Sequence, residues 1–330
     1  MPASRDVPAD IRRATSATDL EALVEVIGNV TPEDPTSLEE IAWIDRVYPG
    51  TARFLASTAD GRVVGAATVG RIFIYPEDHP AFWASLVVRP AARRRGVGHA
   101  LLSAVSAVAA GAGKRGLELR AFDDRPEGIA FLEHRGYEEL ERARMVRLEL
   151  DGRRPPSIEL PAGLRLTTLA ARPDLVPQVH EVAIETFGDI PGGDTDMAAG
   201  DLDEFIARDV DRPGIDHAAF FLALDDASDA VVGYASLMFV PGSTTVAWHD
   251  MTAVRRAWRG RGVASALKRA TIGWAIERGL TSLDTGNDED NLAMRAVNAR
   301  LGYRPLPDEL TMRGPLVTTS AGSTGDDGAS

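Results

Sequence analysis

The strongest constraint in this 330-residue chain is a turn that occurs twice. Arg93-Arg94-Arg95-Gly96-Val97-Gly98 and Arg259-Gly260-Arg261-Gly262-Val263-Ala264 share one register, with Arg93 and Arg259 standing 166 positions apart. Gly96 and Gly262 keep that offset of 166, and so do Gly136-Tyr137 and Gly302-Tyr303. Three landmarks with one offset imply duplication, and a period this long makes each unit a domain. Each turn follows an apolar run, Ser85-Leu86-Val87-Val88 or Met251-Thr252-Ala253-Val254, and opens a helical pattern. That order builds an anion site. N–H groups in the first turn of a helix lack internal partners, and the macrodipole adds positive charge there. Glycine or alanine lets a phosphate oxygen approach the backbone. The same residues also suit a basic cap on an ordinary helix, and a short glycine pattern alone does not separate the two.

Composition narrows the classes. The chain is 44% apolar and 26% charged, as globular proteins are, and its length suits two domains with a core each. It has no cysteine, which excludes disulfides, thiolate metal sites and a cysteinyl acyl-enzyme. We expect no metal, no membrane partner and a cytoplasmic location. No apolar run nears the ~20 residues of a spanning helix, and the first residues lack the apolar stretch of a signal peptide. Net charge is −13. Residues 1–150 hold 19 basic and 22 acidic side chains, and 151–330 hold 17 and 27. Such a chain binds nucleic acid poorly.

Patterning places the same elements in both units. In the first, strands are expected near 11–15, 53–56, 63–67, 82–88, 117–122 and 141–150, with helices from Asp19, over 38–47, after Gly96 and over 128–134. In the second, strands fall at 164–167, 220–224, 231–235, 246–254 and 282–284. Helices fall at 176–187, 202–210, from the turn to about 277, and at 292–301. Residues 151–163, with Pro155-Pro156, read as a linker, and 317–330 as a disordered tail. The fold class is α/β: two tandem domains, 1–150 and 164–316, each a mixed central sheet flanked by helices.

Both turns resemble motif A of the GNAT acetyltransferase superfamily, Arg/Gln-x-x-Gly-x-Gly/Ala, filled by Arg93, Gly96 and Gly98 and by Arg259, Gly262 and Ala264. Asn291, eleven residues before Gly302-Tyr303, is a further shared feature. The tandem arrangement is similar to that of mycothiol-synthase-type members. The resemblance implies that acetyl-CoA is a cosubstrate, held by Val254, Arg259 to Ala264 and Asn291, or by Val88 and Arg93 to Gly98. It also implies a backbone donor from a bulged strand near Thr252-Ala253-Val254 or Leu86-Val87-Val88.

An amine acceptor must lose a proton, and a carboxylate or imidazole takes it. Strand alternation puts Trp248, Asp250 and Thr252 on one face and His249 on the other. Asp250 is the first candidate for the base and His249 the alternative. Many family members protonate the leaving thiolate with a Tyr four residues before the Gly-aromatic glycine. Here that position holds Asn298, or Leu132 in the first unit, leaving Asn298, Tyr303 or water. The first unit has Arg94 for Gly260, Arg125 for Asn291 and no carboxylate in Phe82-Trp83-Ala84-Ser85, so the second is expected to do the chemistry. Asp189, Asp194, Asp196, Asp201, Asp203, Glu204, Asp209 and Asp211 suit a small cationic amine or an ordinary solvated surface. Pro191-Gly192-Gly193 suits a lid. Acetylation of a protein amine, or acyl-CoA binding without turnover, remains open.

Overall fold

The computed structural model describes residues 10–191 and 198–317. Gly192, Gly193, Asp194, Asp196 and the tail beyond Val317 lie outside the described residues. Val317 itself donates its N–H to Ser106 Oγ (3.0 Å).

The first half runs β1 (Asp10–Arg13), α1 (Ala17–Val30), α2 (Leu38–Val47), β2 (Ala52–Ser57), β3 (Val63–Gly70), β4 (Ala81–Val88), α3 (Val97–Gly111), β5 (Gly116–Phe122), α4 (Pro126–Glu133) and β6 (Glu138–Glu149). The second runs β7 (Leu164–Thr168), α5 (Val176–Thr186), α6 (Leu202–Phe205), β8 (Phe221–Asp225), β9 (Val231–Phe239), β10 (Val246–Val254), α7 (Val263–Glu277), β11 (Ser282–Asp288), α8 (Leu292–Leu301), β12 (Arg304–Pro305) and β13 (Glu309–Pro315). Local chemistry sets several starts. Ser16 and Asp19 form a capping box at α1, and Ser37 caps α2 through the Glu40 N–H.

One helix departs from expectation. The segment 202–210 is α-helical to Phe205 and then forms a π turn, Ile206–Val210. The wider turn carries Arg208 inward, where its guanidinium bonds Ala199 O (3.1 Å) and Asp209 Oδ2 (2.7 Å). Such turns recur at functional sites.

The strands form one continuous mixed sheet, ordered β1-β2-β3-β4-β5-β13-β6-β11-β10-β9-β8-β7, with β12 on β6. The strand expected to close the first unit does not stay there. Residues 143–149 of β6 pair antiparallel with β11 of the second half, and β13 pairs with β5 of the first. The closing strands are therefore exchanged. An exposed ladder edge attracts any matching strand, and duplicated halves offer two equivalent edges. Tyr137 packs its ring against Gly314 of the incoming strand so closely that no side chain would fit there.

Parallel pairing occurs at two places, β4 with β5 and β10 with β11. In each the pairing is short: β10 leaves β11 after Trp248–Asp284, and β4 leaves β5 after Ala84–Leu119. Each V-shaped gap opens toward its glycine turn. Core clusters cover both faces, α5 and α6 on one side of the second half and α7 on the other.

Candidate active site

At the second turn, Gly260 (φ 72°) and Gly262 (φ 92°) adopt left-handed conformations that favour glycine. Among the described residues no side chain caps α7, and its first backbone bond runs from Ala266 N–H to Gly262 C=O. The preceding N–H groups at Val263 and Ala264 are left to face outward. A Cβ at Gly260 or Gly262 would meet open space. Arg259 does not simply project. Its Nε donates to Val254 O (3.0 Å), and Nη2 reaches Asp189 Oδ2 (2.7 Å). Asp189 also takes Arg256 (Nε–Oδ2 2.8 Å), and the two cations hold its carboxyl near 2. Arg261 stacks over Trp258 at 5.0 Å.

The first turn repeats the frame with less room. Arg93 Nε binds Val88 O (3.1 Å) and Nη1 binds Glu127 Oε1 (2.8 Å). Arg94, where the second copy has Gly260, is forced to φ 62°, a region that costs a side-chain-bearing residue about 1–2 kcal/mol. Arg95, Gly96 and Arg94 are exposed, and Val97 is buried. The Phe131 ring lies against Gly98, 3.2 Å from where a Cβ would stand, with Arg135 stacked over it at 3.8 Å. An aromatic ring thus crowds this turn, and Val297 holds the matching position in the second half.

Strand β10 carries a bulge. His249 pairs with Leu237 but Thr252 with Ala235, leaving Asp250 and Met251 without ladder partners on β9. In β4 the matching register runs unbroken from Trp83 to Val88. The bulge also corrects the alternation expected for this strand. Met251 and Ala253 pack with the α5 cluster and Val254 with the α7 cluster, so Thr252 no longer shares a face with Asp250.

Asp250 is exposed at the mouth of a cleft beneath α6 and the π turn. It accepts a long hydrogen bond from Ser236 (3.4 Å). The surrounding protein displaces enough water to raise its pKa, opposed by Arg212, the Ser236 hydroxyl and Arg208. Asp209 shares the cleft. Desolvation lifts it to about 6, against Arg208 and with help from the Asp250 charge. Two other described members of the anticipated acidic cluster are occupied elsewhere: Asp189 holds the arginines near the turn, and Asp201 caps α6 through the Glu204 N–H (2.8 Å).

The first half walls this cleft. Trp43 Nε1 donates to Ala207 O (2.9 Å), and Arg212 bonds Glu40 Oε1 (2.8 Å) while stacking on Trp43. Tyr48 is buried, and its hydroxyl has no hydrogen-bond partner among the described residues. Burial pushes it to about 12, and Arg208, Glu204 and Asp209 act on it electrostatically. Sequence reasoning missed these residues because their meeting depends on contacts between elements about 160 positions apart.

His249 faces away from the cleft. Its Nδ1 meets Tyr303 Oη (2.5 Å) and its Nε2 meets Thr271 Oγ1. Thr271 donates its hydroxyl proton to Lys268 O (2.9 Å). His249 must therefore donate from Nε2 and accept from Tyr303 at Nδ1. Burial holds its pKa well below the usual value, and neither ring nitrogen is open to an amine. Tyr303 is likewise occupied, its pKa raised by burial. Asn298 accepts from Lys268 Nζ (2.8 Å) and donates to Asn287 Oδ1 (2.6 Å). Asn291 caps α8 through the Met294 N–H (3.2 Å).

A glycine turn at a helix start, a splayed parallel pair beside it and a bulge with a carboxylate now stand together. The Acetyltransferase (GNAT) family matches residues 20–137 and, again, 184–303. The chain belongs to this family. It is 31% identical over 270 residues to a mycothiol acetyltransferase of Clavibacter michiganensis subsp. michiganensis, covering 80% of each chain. It is 38% identical over 148 residues to an aminoglycoside N(6′)-acetyltransferase type 1 of Stenotrophomonas maltophilia, covering 43% of this chain and 94% of that one. Its fold matches a tandem GNAT protein from the clavulanic acid biosynthesis pathway, with TM-score 0.74 and 22% identity over 94% of this chain and 99% of that one. GNAT acetyltransferases use acetyl-CoA, and the chain is an N-acetyltransferase of this kind. Among the described residues the second GNAT turn has no capping side chain and open space over both glycines, and successive N–H groups at a helix start favour an anion.

Proposed function

We propose that the second half performs the transfer. It holds acetyl-CoA at Arg259 to Ala264 and passes the acetyl group to the primary amine of a small, polar, cationic molecule lying against Asp250 and Asp209. The bulge at Asp250–Met251 carries this reading. It frees backbone N–H groups from the ladder beside the gap between β10 and β11, where an oxyanion donor is needed. It also turns Asp250 into the cleft, where a carboxylate of raised pKa can accept the amine proton. The carbon–nitrogen bond then forms, the carbon–sulfur bond breaks, and the electron pair leaves with the thiolate.

The paired carboxylates favour a cationic acceptor, and the first half closes the cleft with Trp43, Glu40 and Tyr48. The relatives named for mycothiol and aminoglycosides support a small polar acceptor over a protein chain. The first half itself has Ala84 in place of Asp250, an unbroken β4 register and Phe131 against its turn, which supports a structural role for it. Thiol release from acetyl-CoA in the presence of amino sugars, aminoglycosides and polyamines tests the reading. Release with none of these, alongside release with peptide amines, would reject it.

A further inference from the structure

One face of α8 stands over a cavity of about 440 Å3 that includes neither the glycine turn nor the cleft carboxylates. Its walls come from β6, β11, α8, the chain at 305–308 and Asp123, the residue after β5, so both halves build it. Across β6 and β11, Arg144 pairs with Asn287 and Leu148 with Leu283, and the two leucines pack in the α7 cluster. Strand alternation puts Arg144 and Asn287 on that same face of the sheet, while Asp250 turns to the other.

The duplicated frame fills this space differently in each half. The 166-residue offset sets Ala121, Ile129, Leu132 and Leu310 at the positions of Asn287, Arg295, Asn298 and Arg144. In the first half those side chains belong to an apolar core. In the second the same positions are polar and border a void. Burying polar groups costs free energy where bonds are left unmade, and empty space forgoes contacts. Only one half carries these costs, so the frame does not impose them.

The acceptors around the void are engaged. Asp308 accepts from Arg144 Nη1 (2.5 Å), and Asp123 Oδ1 accepts the Asp308 N–H (3.0 Å). Asn287 Oδ1 accepts from Asn298 (2.6 Å), whose own oxygen is held by the buried Lys268 (2.8 Å). Lysine offers only donors, so the Asn298 NH2 group faces away from it. Donors remain. Arg144 Nε is buried with no partner among the described residues. Arg295 gives one N–H to Glu289 O (2.6 Å) and has no salt bridge among the described residues. Lys268 likewise has no carboxylate partner among them. Val146, Pro305 and Leu306 supply apolar wall. A complementary ligand presents oxygen acceptors at one end and carbon at the other, and the two uncompensated cations favour negative charge on the oxygens.

We infer that this cavity binds a small carboxylate with an apolar body, at a site separate from the donor turn and the acceptor cleft. The carboxylate lies among Arg144, Arg295 and the two asparagines, and the body against Val146, Pro305 and Leu306. The volume falls within the range of small-molecule pockets, about 300–1,000 Å3.

Saturation-transfer NMR and calorimetry on the full-length protein, with CoA added to saturation, test this. The probes are hexanoate, benzoate and phenylacetate, each beside its primary amide, with inorganic phosphate as a further arm. At least one carboxylate should bind with CoA in place, its amide and phosphate binding roughly tenfold more weakly. Arg295→Gln should weaken that carboxylate about tenfold, and Arg295→Lys should recover part of the loss. Ala299→Trp, which places a ring in the cavity, should abolish binding. All three variants should hold CoA within about twofold of wild type, as distant sites do. No carboxylate bound, displacement of the carboxylate by CoA, tighter binding of phosphate than of every carboxylate, or equal binding to wild type and Ala299→Trp would each overturn the inference. Carboxylate binding by a protein that gives no heat with CoA would overturn the donor reading and leave this site standing.

Discussion

Arg147 grips Asp284 with two parallel hydrogen bonds, Nε to Oδ1 at 2.6 Å and Nη2 to Oδ2 at 2.7 Å. The arginine belongs to β6 of the first half and the buried aspartate to β11 of the second. The same contact recurs 166 positions away on each side, where Arg313 of β13 bonds Glu118 of β5 (2.7 and 2.9 Å). Each exchanged strand thus brings its own arginine to the acid it meets, and the two halves share one sheet.

The exchange makes the halves interdependent. Arg147→Ala would leave Asp284 buried and unpaired. With Arg147 itself partly exposed, the loss should be about 2–3 kcal/mol, below the range for fully buried pairs. Urea denaturation measures it. Residues 1–150 expressed alone should lack cooperative unfolding, since β5 would have no β13 beside it.

Asp250→Asn should lower kcat by roughly 10²–10⁴-fold, the usual worth of a positioned base, while CoA affinity stays nearly intact. Steady-state kinetics and calorimetry with CoA separate the two effects. Equal loss of both would argue that Asp250 shapes the donor site instead.

The cleft carboxylates set an acid limb. Desolvation raises the pKa of both Asp250 and Asp209, the latter to about 6, where the Asp250 charge adds to it. A base works only when ionised, so kcat/KM should rise with pH along an acid limb that lies above the ordinary aspartate range. Asp209→Asn removes one negative charge, which should move the limb to lower pH. An unmoved limb would separate Asp209 from the reacting pair.

Arg259 is anchored to Val254 and Asp189, so it shapes the turn as well as charging it. Arg259→Ala should weaken CoA binding about tenfold with little change in kcat, readable by calorimetry. Asp189→Asn should strengthen binding modestly by freeing Arg256 and Arg259 for the anion.

Lys268 also gives a stability signature. Its folded pKa, about 7, lies below the ordinary lysine value of 10.5. The unfolded chain therefore binds more protons between those values, and stability from this group rises with pH across that window. Denaturant midpoints of wild type should climb relative to Lys268→Met between about pH 7 and 10.

What is local or repeated could be read from the order of residues. The 166-residue offset marked the duplication, the glycines marked where the backbone turns left-handed before α3 and α7, and the apolar periods marked most strands and helices. Asp250 could be singled out because it sits on the strand that feeds the turn. Lys268 left one trace, a lysine on the apolar face of α7, but its partners lie on other elements. Which half each closing strand joins was settled by packing, because equal edges with equal arginines carry no address in their order. It also decided that β10 bulges at Asp250, that His249 turns to a sealed network, and that Trp43, Glu40 and Tyr48 wall the cleft of the other half. These depend on packing between distant segments, where the burial of one side chain fixes the partners of another.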